Sequence, residues 1–274
     1  MARVVELTYY PVKGCAGASV SDAVLRHAGL THDRSFMIIA EDGAFRSQRH
    51  SPRLAVIRPE VSPGGEQLTL RAPGAGVVSV DVDLAAPRRD VDLFGAPYQG
   101  IDQGDQVAGW LSDVLGAPRR LVRVPPEHNR VTDGETPGTS DYADSCPVLV
   151  TSLSSLDLLN ARIAERGGEP VPMSRFRPNI VIAGGEEPHI EDRARCIAIG
   201  EIELGYAKLA LRCVVTTVDQ ESGAKTGPEP LRTLAGYLRA GEGVAFGAKF
   251  AVMRPGKLAV GDEVIVSCWG ESEL

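Results

Sequence analysis

The run Leu209-Ala210-Leu211-Arg212-Cys213-Val214-Val215-Thr216-Thr217-Val218 reads as a β-strand, with β-branched Val and Thr crowding its second half and Asp219 ending it. Similar runs recur on both sides. Upstream they fall at 4–9, 36–40, 54–60, 67–71, 77–82, 180–182, 197–199 and 202–204, and downstream at 250–253 and 263–267. Gly, Pro and Asp turn signals separate them, and the last is entered through Val260-Gly261-Asp262. Helical periodicity is scarcer. It predicts a helix at 105–115, where Val107, Trp110, Leu111, Val114 and Leu115 share a face, Asp105 is a cap and Gly116 a stop. Further helices are expected at 154–166, with Leu156, Leu159 and Ile163 on one side, and at 230–238. Residues 22–27 suit strand or helix equally. Many short strands, tight turns and few helices make a mainly β, α+β chain, built as a barrel or sandwich rather than a doubly wound sheet.

The chain has 274 residues, 43% of them hydrophobic and 24% charged, which suits one large globular domain or two modest ones. Its 29 basic and 36 acidic residues leave a formal charge of −7. That balance excludes a general binder of nucleic acid or of membrane surfaces, both of which need a basic footprint. No run approaches the ~18 apolar residues of a membrane span, and Met1-Ala2-Arg3-Val4-Val5-Glu6 leads straight into strand-like sequence without a signal-peptide core, so the expected location is the cytoplasm. Between 124 and 146 the composition turns polar, with Pro125-Pro126, Asp133-Gly134 and Pro137-Gly138-Thr139-Ser140-Asp141. Such a segment is a linker or a lid. It divides the chain into modules at 1–123 and 147–274, with room for strands shared between them.

Five cysteines, at 15, 146, 196, 213 and 268, contain no CxxC pair, and the histidines at 27, 32, 50, 128 and 189 show no paired spacing. A recognisable zinc site, a ferredoxin-type cluster and a dense disulfide framework are thereby excluded. A functional cysteine would work alone. Cys213 beside Arg212 is the candidate, since a neighbouring cation favours the thiolate, a better nucleophile and soft-metal ligand. The alternative is a buried strand cysteine acting as a small hydrophobe. A second segment, Arg175-Phe176-Arg177-Pro178-Asn179-Ile180-Val181-Ile182, sets two arginines and an asparagine ahead of an apolar strand. These suit an anion or a solvated strand entrance. A third comprises Tyr10-Pro11-Val12-Lys13-Gly14-Cys15-Ala16-Gly17 and His32-Asp33-Arg34-Ser35-Phe36. Each alone is an ordinary turn. Together, basic residues at three loop–strand junctions of an acidic protein point to a phosphate-bearing ligand.

These segments resemble the MOSC family, named for the carboxy-terminal domain of molybdenum-cofactor sulfurase, and within it the subgroup of the mitochondrial amidoxime-reducing component and its bacterial relatives. Tyr10-Pro11-Val12-Lys13, Asp33-Arg34, Gln48-Arg49 and Pro52-Arg53-Leu54 resemble its N-terminal β-barrel module. Asp144-Ser145-Cys146-Pro147, Arg175–Val181 and Arg212–Asp219 resemble the MOSC domain itself. The resemblance implies an N-terminal β-barrel-like module, a MOSC β-barrel domain and a cofactor cleft between them. It implies Mo-molybdopterin with one protein thiolate on the metal, which by position is Cys213, kept deprotonated with help from Arg212. Donors to the pterin and its phosphate would be Lys13, Gly14, Arg34, Ser145, Cys146, Arg177, Asn179 and Arg212. Three positions depart from relatives: Gly14 and Cys146 stand where serine occurs, and Lys249 stands where tyrosine occurs, adding phosphate charge or facing solvent. The implied activity is two-electron reduction of N-hydroxylated compounds (amidoximes, hydroxylamines, N-hydroxylated bases), with the oxygen leaving as water. In a chain lacking an iron–sulfur motif, the electrons come from a separate ferredoxin- or flavin-type partner. Asp219 is the candidate proton relay or orienting group; the alternative is a strand-end turn carboxylate. The rival function is a molybdenum-cofactor or sulfur carrier, with Cys213 as the carrying thiol.

Overall fold

The computed structural model describes residues 1–185 and 187–274. Seven strands close on themselves, in the order Val148–Ser152, Ile180–Ala183, Ala2–Tyr9, Glu263–Trp269, Ala194–Ile199, Ile202–Arg212 and Gly243–Arg254, the last pairing back onto the first. Closure leaves no exposed edge along this circuit. Six of the seven pairings are antiparallel. The parallel one, Val148–Ser152 with Ile180–Ala183, requires a crossover, and helix Leu153–Glu165 supplies it. Inside the barrel, Val4, Leu7, Val150, Ile180, Ile197, Tyr206 and Phe250 form one apolar cluster.

The N-terminal half builds a second core. Strands Phe36–Ile39, Arg120–Arg123, Ala96–Asp102 and Arg88–Leu93 form one sheet, and Arg58–Val61, Gln67–Arg71 and Val77–Asp81 form a meander. Helix Asp105–Leu115 covers them, burying Val107, Leu111 and Val114 among Phe36, Ile38, Leu68, Leu70 and Leu121. The helix has the expected limits. Gly116 ends it in the left-handed conformation at φ 69°, whereas its cap is Gly104, and Asp105 sits in the first turn where it receives Arg120 at 2.8 Å. Strand Ala2–Tyr9 belongs to the barrel although it begins the chain, and Asp22–Arg26, a strand, pairs with Gly256–Ala259.

Three expectations need correction. The run 209–218 is not one strand: Ile202–Arg212 is continuous, absorbing the expected 202–204 strand, and Val214–Thr217 is a 3-10 turn. The threonines cause this. Thr216 Oγ1 donates to the Cys213 carbonyl at 2.9 Å and Thr217 Oγ1 to the Val214 carbonyl at 2.8 Å, local bonds that compete with a sheet ladder. At 54–60, Pro52 starts a 3-10 turn, Pro52–Val56, before strand Arg58–Val61 begins. The helix expected at 230–238 runs only over Leu231–Leu234.

The polar segment 124–146 is ordered along the outside of the barrel. Val131–Thr132 pairs with Gly138–Thr139, and Glu135 and Thr136 donate backbone N–H groups to Ala207 and Tyr206. Its end packs down, with the Tyr142 ring fully buried.

Candidate functional site

Strand Ile202–Arg212 delivers Cys213 to a cleft between the barrel and the N-terminal half. The opening holds about 980 Å³ of empty space. Its walls come from eight stretches of the chain: Lys13 and Gly14; Arg34; Phe45, Ser47, Gln48 and Arg49; Phe94; Ala143–Cys146 and Leu149; Arg175, Phe176, Arg177 and Asn179; Leu211, Arg212, Cys213, Val215 and Thr216; and Lys249. Ten of the expected site residues therefore meet here: Lys13, Gly14, Arg34, Ser145, Cys146, Arg177, Asn179, Arg212, Cys213 and Lys249. Seven of the lining side chains are basic and one, Asp144, is acidic. In a chain of net charge −7, that concentration is the site's main electrostatic feature.

The 3-10 turn after Arg212 matters here. By leaving the ladder at Cys213, the chain presents a partly exposed thiol to the cleft instead of burying it in a strand. The other cleft cysteine differs. Cys146 is buried, its thiol pushed up by burial, and its Sγ lies 3.7 Å from the Asp133 carbonyl it donates to.

The cations are held in place by the fold. Arg212 donates from Nε to the Phe246 carbonyl at 2.9 Å and from Nη1 to Phe176 at 3.2 Å; burial pushes its pKa down to about 10. Arg177 donates to Gln220 Oε1 at 3.1 Å and to the Cys15 carbonyl at 2.6 Å. Arg34 and Arg177 lie on the Tyr10 ring, each 4.3 Å from its centroid, and burial pushes the Tyr10 phenol up to about 12. Lys13 sits over the rings of Phe45 and Phe94, at 5.1 and 4.9 Å, and pairs with Asp144. Burial pulls the Lys13 ammonium down to about 8, with Asp144 opposing the shift. Lys249 donates to Ser145 Oγ at 2.7 Å, so it points into the cleft rather than to bulk solvent. Gly14 has φ +83°, a conformation in which a serine would be strained, so this chain offers backbone there in place of a hydroxyl.

Two expected residues take other roles. Asn179 lines the cleft, yet its amide is committed: Oδ1 accepts from Arg34 and from the Leu149 N–H at 3.2 Å, and Nδ2 donates to the Thr8 carbonyl at 3.1 Å. Asp219 is not brought to the cleft. Its Oδ1 accepts from the Ser222 N–H at 2.8 Å and the Ser222 hydroxyl at 2.7 Å, closing the turn that follows the strand-end segment. Its Oδ2 faces Arg175 at 3.5 Å. These contacts are those of a strand-end turn carboxylate, the alternative reading of Asp219.

Sequence reasoning offered Arg175 for an anion without placing it among the cofactor donors, and it passed over Arg49, Phe45, Phe94 and Asp144 as site residues. Arg175 and Asp144 stand inside quoted motifs and carried a signal. Phe94 did not; it occupies the turn of hairpin Arg88–Leu93/Ala96–Asp102, whose polar, exposed face hides its strands.

The donor set suits an anionic, metal-bearing group that brings most of its own ligands. The walls are cationic, Arg175 Nε is buried without a partner, and one thiol is open. Among the described residues, no three His, Cys, Asp or Glu side chains are grouped to hold a bare ion.

Fold and site together define a two-module β protein with a cationic, thiol-bearing cleft at the module junction. The family model for the MOSC N-terminal beta barrel domain matches residues 1–118, and that for the MOSC domain matches 137–265. Mouse mitochondrial amidoxime-reducing component 1 is 34% identical, over 96% of this chain and 82% of that protein. Its human counterpart is 32% identical with the same coverage. The molybdenum cofactor sulfurase of Danio rerio is 31% identical over 89% of this chain, which spans 31% of that longer protein. The chain belongs to the MOSC family, and that membership associates it with the molybdenum cofactor.

Proposed function

We propose that this chain is a molybdenum-cofactor-dependent reductase of N-hydroxylated compounds, supplied with electrons by a separate ferredoxin- or flavin-type partner. The observation that carries the reading is the open Cys213 thiol in a cleft with seven basic side chains and one acid. Similarity to the amidoxime-reducing components supports amidoximes as substrates; hydroxylamines and N-hydroxylated bases carry the same N–OH group. When bound, the cofactor would supply the redox centre that takes oxygen from the substrate.

The protein's own part is binding and geometry. Cys213 provides the soft thiolate ligand. Lys13, Arg34, Arg177 and Lys249 hold phosphate charge, with Ser145 fixing the Lys249 ammonium. Arg212, anchored on two carbonyls, sets the wall next to Cys213, and backbone at Gly14 approaches the ligand closely. The modules are read as 1–123 and 147–274, with 124–146 supplying the wall Ala143–Cys146. No helix among the described residues is long and apolar enough to cross a membrane, and the reductase relatives are named mitochondrial.

The test is turnover. Protein produced with added molybdate and given a chemical electron donor should convert an amidoxime to its amidine. Retained cofactor without turnover of any N-hydroxylated substrate contradicts the reading. Similarity to the sulfurase favours a second one, a cofactor or sulfur carrier. Loss of cofactor on gel filtration, with no turnover, would be its mark.

A further inference from the structure

On the barrel wall, outside the cleft, two cysteines face one another. Cys196 on strand Ala194–Ile199 pairs in register with Cys268 on strand Glu263–Trp269. Both are free thiols, Cys268 exposed and Cys196 partly so. Directly opposed residues of an antiparallel pair have Cβ atoms about 4.5–5.5 Å apart, and a disulfide needs about 3.5–4.5 Å. The remaining closure is small. The ladder also shifts register on both sides of Cys196, between Ala194 and Cys196 and between Cys196 and Ile197, so the backbone there has the slack of a bulge.

From this pairing we infer that Cys196 and Cys268 form a reversible cross-strand disulfide when the protein meets a small-molecule disulfide, stapling the last barrel strand. The chemistry balances by thiol–disulfide exchange. The exposed Cys268 thiolate attacks one sulfur of the small disulfide, making a mixed disulfide and expelling one thiol. Cys196, having lost its proton to solvent, then attacks Cys268 Sγ and expels the second thiol. Two protein thiols are oxidised and one small disulfide is reduced to two thiols.

The staple acts on the barrel's closure. Strand Glu263–Trp269 bridges Ala194–Ile199 and Ala2–Tyr9, so a covalent link ties the chain's last strand into the circuit. Neither cysteine lines the cleft.

The purified full chain, carrying whatever cofactor it retains, is incubated with oxidised glutathione at mildly alkaline pH. Intact mass and peptide maps are then read, the maps scoring any reaction at Cys213 separately. The expected result is an internal 196–268 cross-link without an adduct, reversed by dithiothreitol, and a melting temperature raised by about 5 °C. Cys196→Ser should instead hold a stable glutathione adduct on Cys268, and Cys268→Ser should give neither cross-link nor the rise. An adduct that persists on Cys268 of the parent protein, or both thiols still free, overturns the inference. A cross-linked protein that melts at the parent's temperature overturns the staple.

Discussion

Arg34 Nη1 donates to Asn179 Oδ1 at 3.0 Å, joining two side chains 145 positions apart. The bond ties the N-terminal segment to the entrance of strand Ile180–Ala183, and it fixes one cation of the cleft by way of a buried amide oxygen that also accepts from the Leu149 N–H. Asn179 is 1% exposed and also engages Thr8 and Leu149.

Asn179→Ala should therefore be costly for stability before it is costly for chemistry. Truncation leaves the Thr8 carbonyl, the Leu149 N–H and part of Arg34 without partners in a buried place. A loss of about 3 kcal/mol is expected. Urea unfolding measures it; a change below about 0.5 kcal/mol would mean the amide is not the tie described.

Arg177→Ala should weaken cofactor retention by roughly thirtyfold, the equivalent of about 2 kcal/mol for one charge-assisted bond. Arg177→Lys should recover little, because an ammonium cannot both lie on the Tyr10 ring and fork to Gln220 and Cys15. Molybdenum remaining after gel filtration is the readout. Full retention by either variant would remove Arg177 from the binding set.

Asp219→Asn separates a turn carboxylate from a proton relay. The asparagine oxygen can still accept from the Ser222 N–H, so the turn should survive with a melting point a few degrees lower. Molybdenum content and kcat/KM should stay within about threefold of the parent, with an unaltered pH profile. A large fall in kcat at full metal loading would return Asp219 to the chemistry.

A pH dependence of stability follows from Asp192. Both its carboxylate oxygens are buried without partners, His189 Nδ1 stands 3.9 Å away, and burial with neighbouring Glu191 pushes the carboxyl up to about 8. A group bound to its proton more tightly when folded stabilises fully below its unfolded pKa of 3.8 and loses that contribution as pH rises through about 8. Chemical denaturation between pH 5 and pH 8 should show the parent weakening more steeply with pH than Asp192→Asn. Equal slopes would contradict the assignment.

Much of this was legible in the chain itself. Alternation marked Gln67–Arg71, and apolar spacing with Gly116 marked the helix Asp105–Leu115, because each signal is local. The cleft residues were reachable through their segments, since loop–strand junctions are where a barrel projects polar side chains. Three things were not legible. Cys213 reads as mid-strand, and only the threonine hydroxyls folding back on the Cys213 and Val214 carbonyls turn it outward. Asn179 reads as a donor, and its commitments come from residues far along the chain. Phe94 has no pattern at all, because its place over Lys13 is set by tertiary packing.

The central claim is that Cys213 holds the metal of a cofactor seated in this cleft. The most direct test is molybdenum per chain, by elemental mass spectrometry, in the parent and Cys213→Ala, both produced with added molybdate and both shown folded by circular dichroism. The account predicts near-stoichiometric molybdenum in the parent and little in the variant. Equal molybdenum in the two proteins, with equal activity, would contradict it.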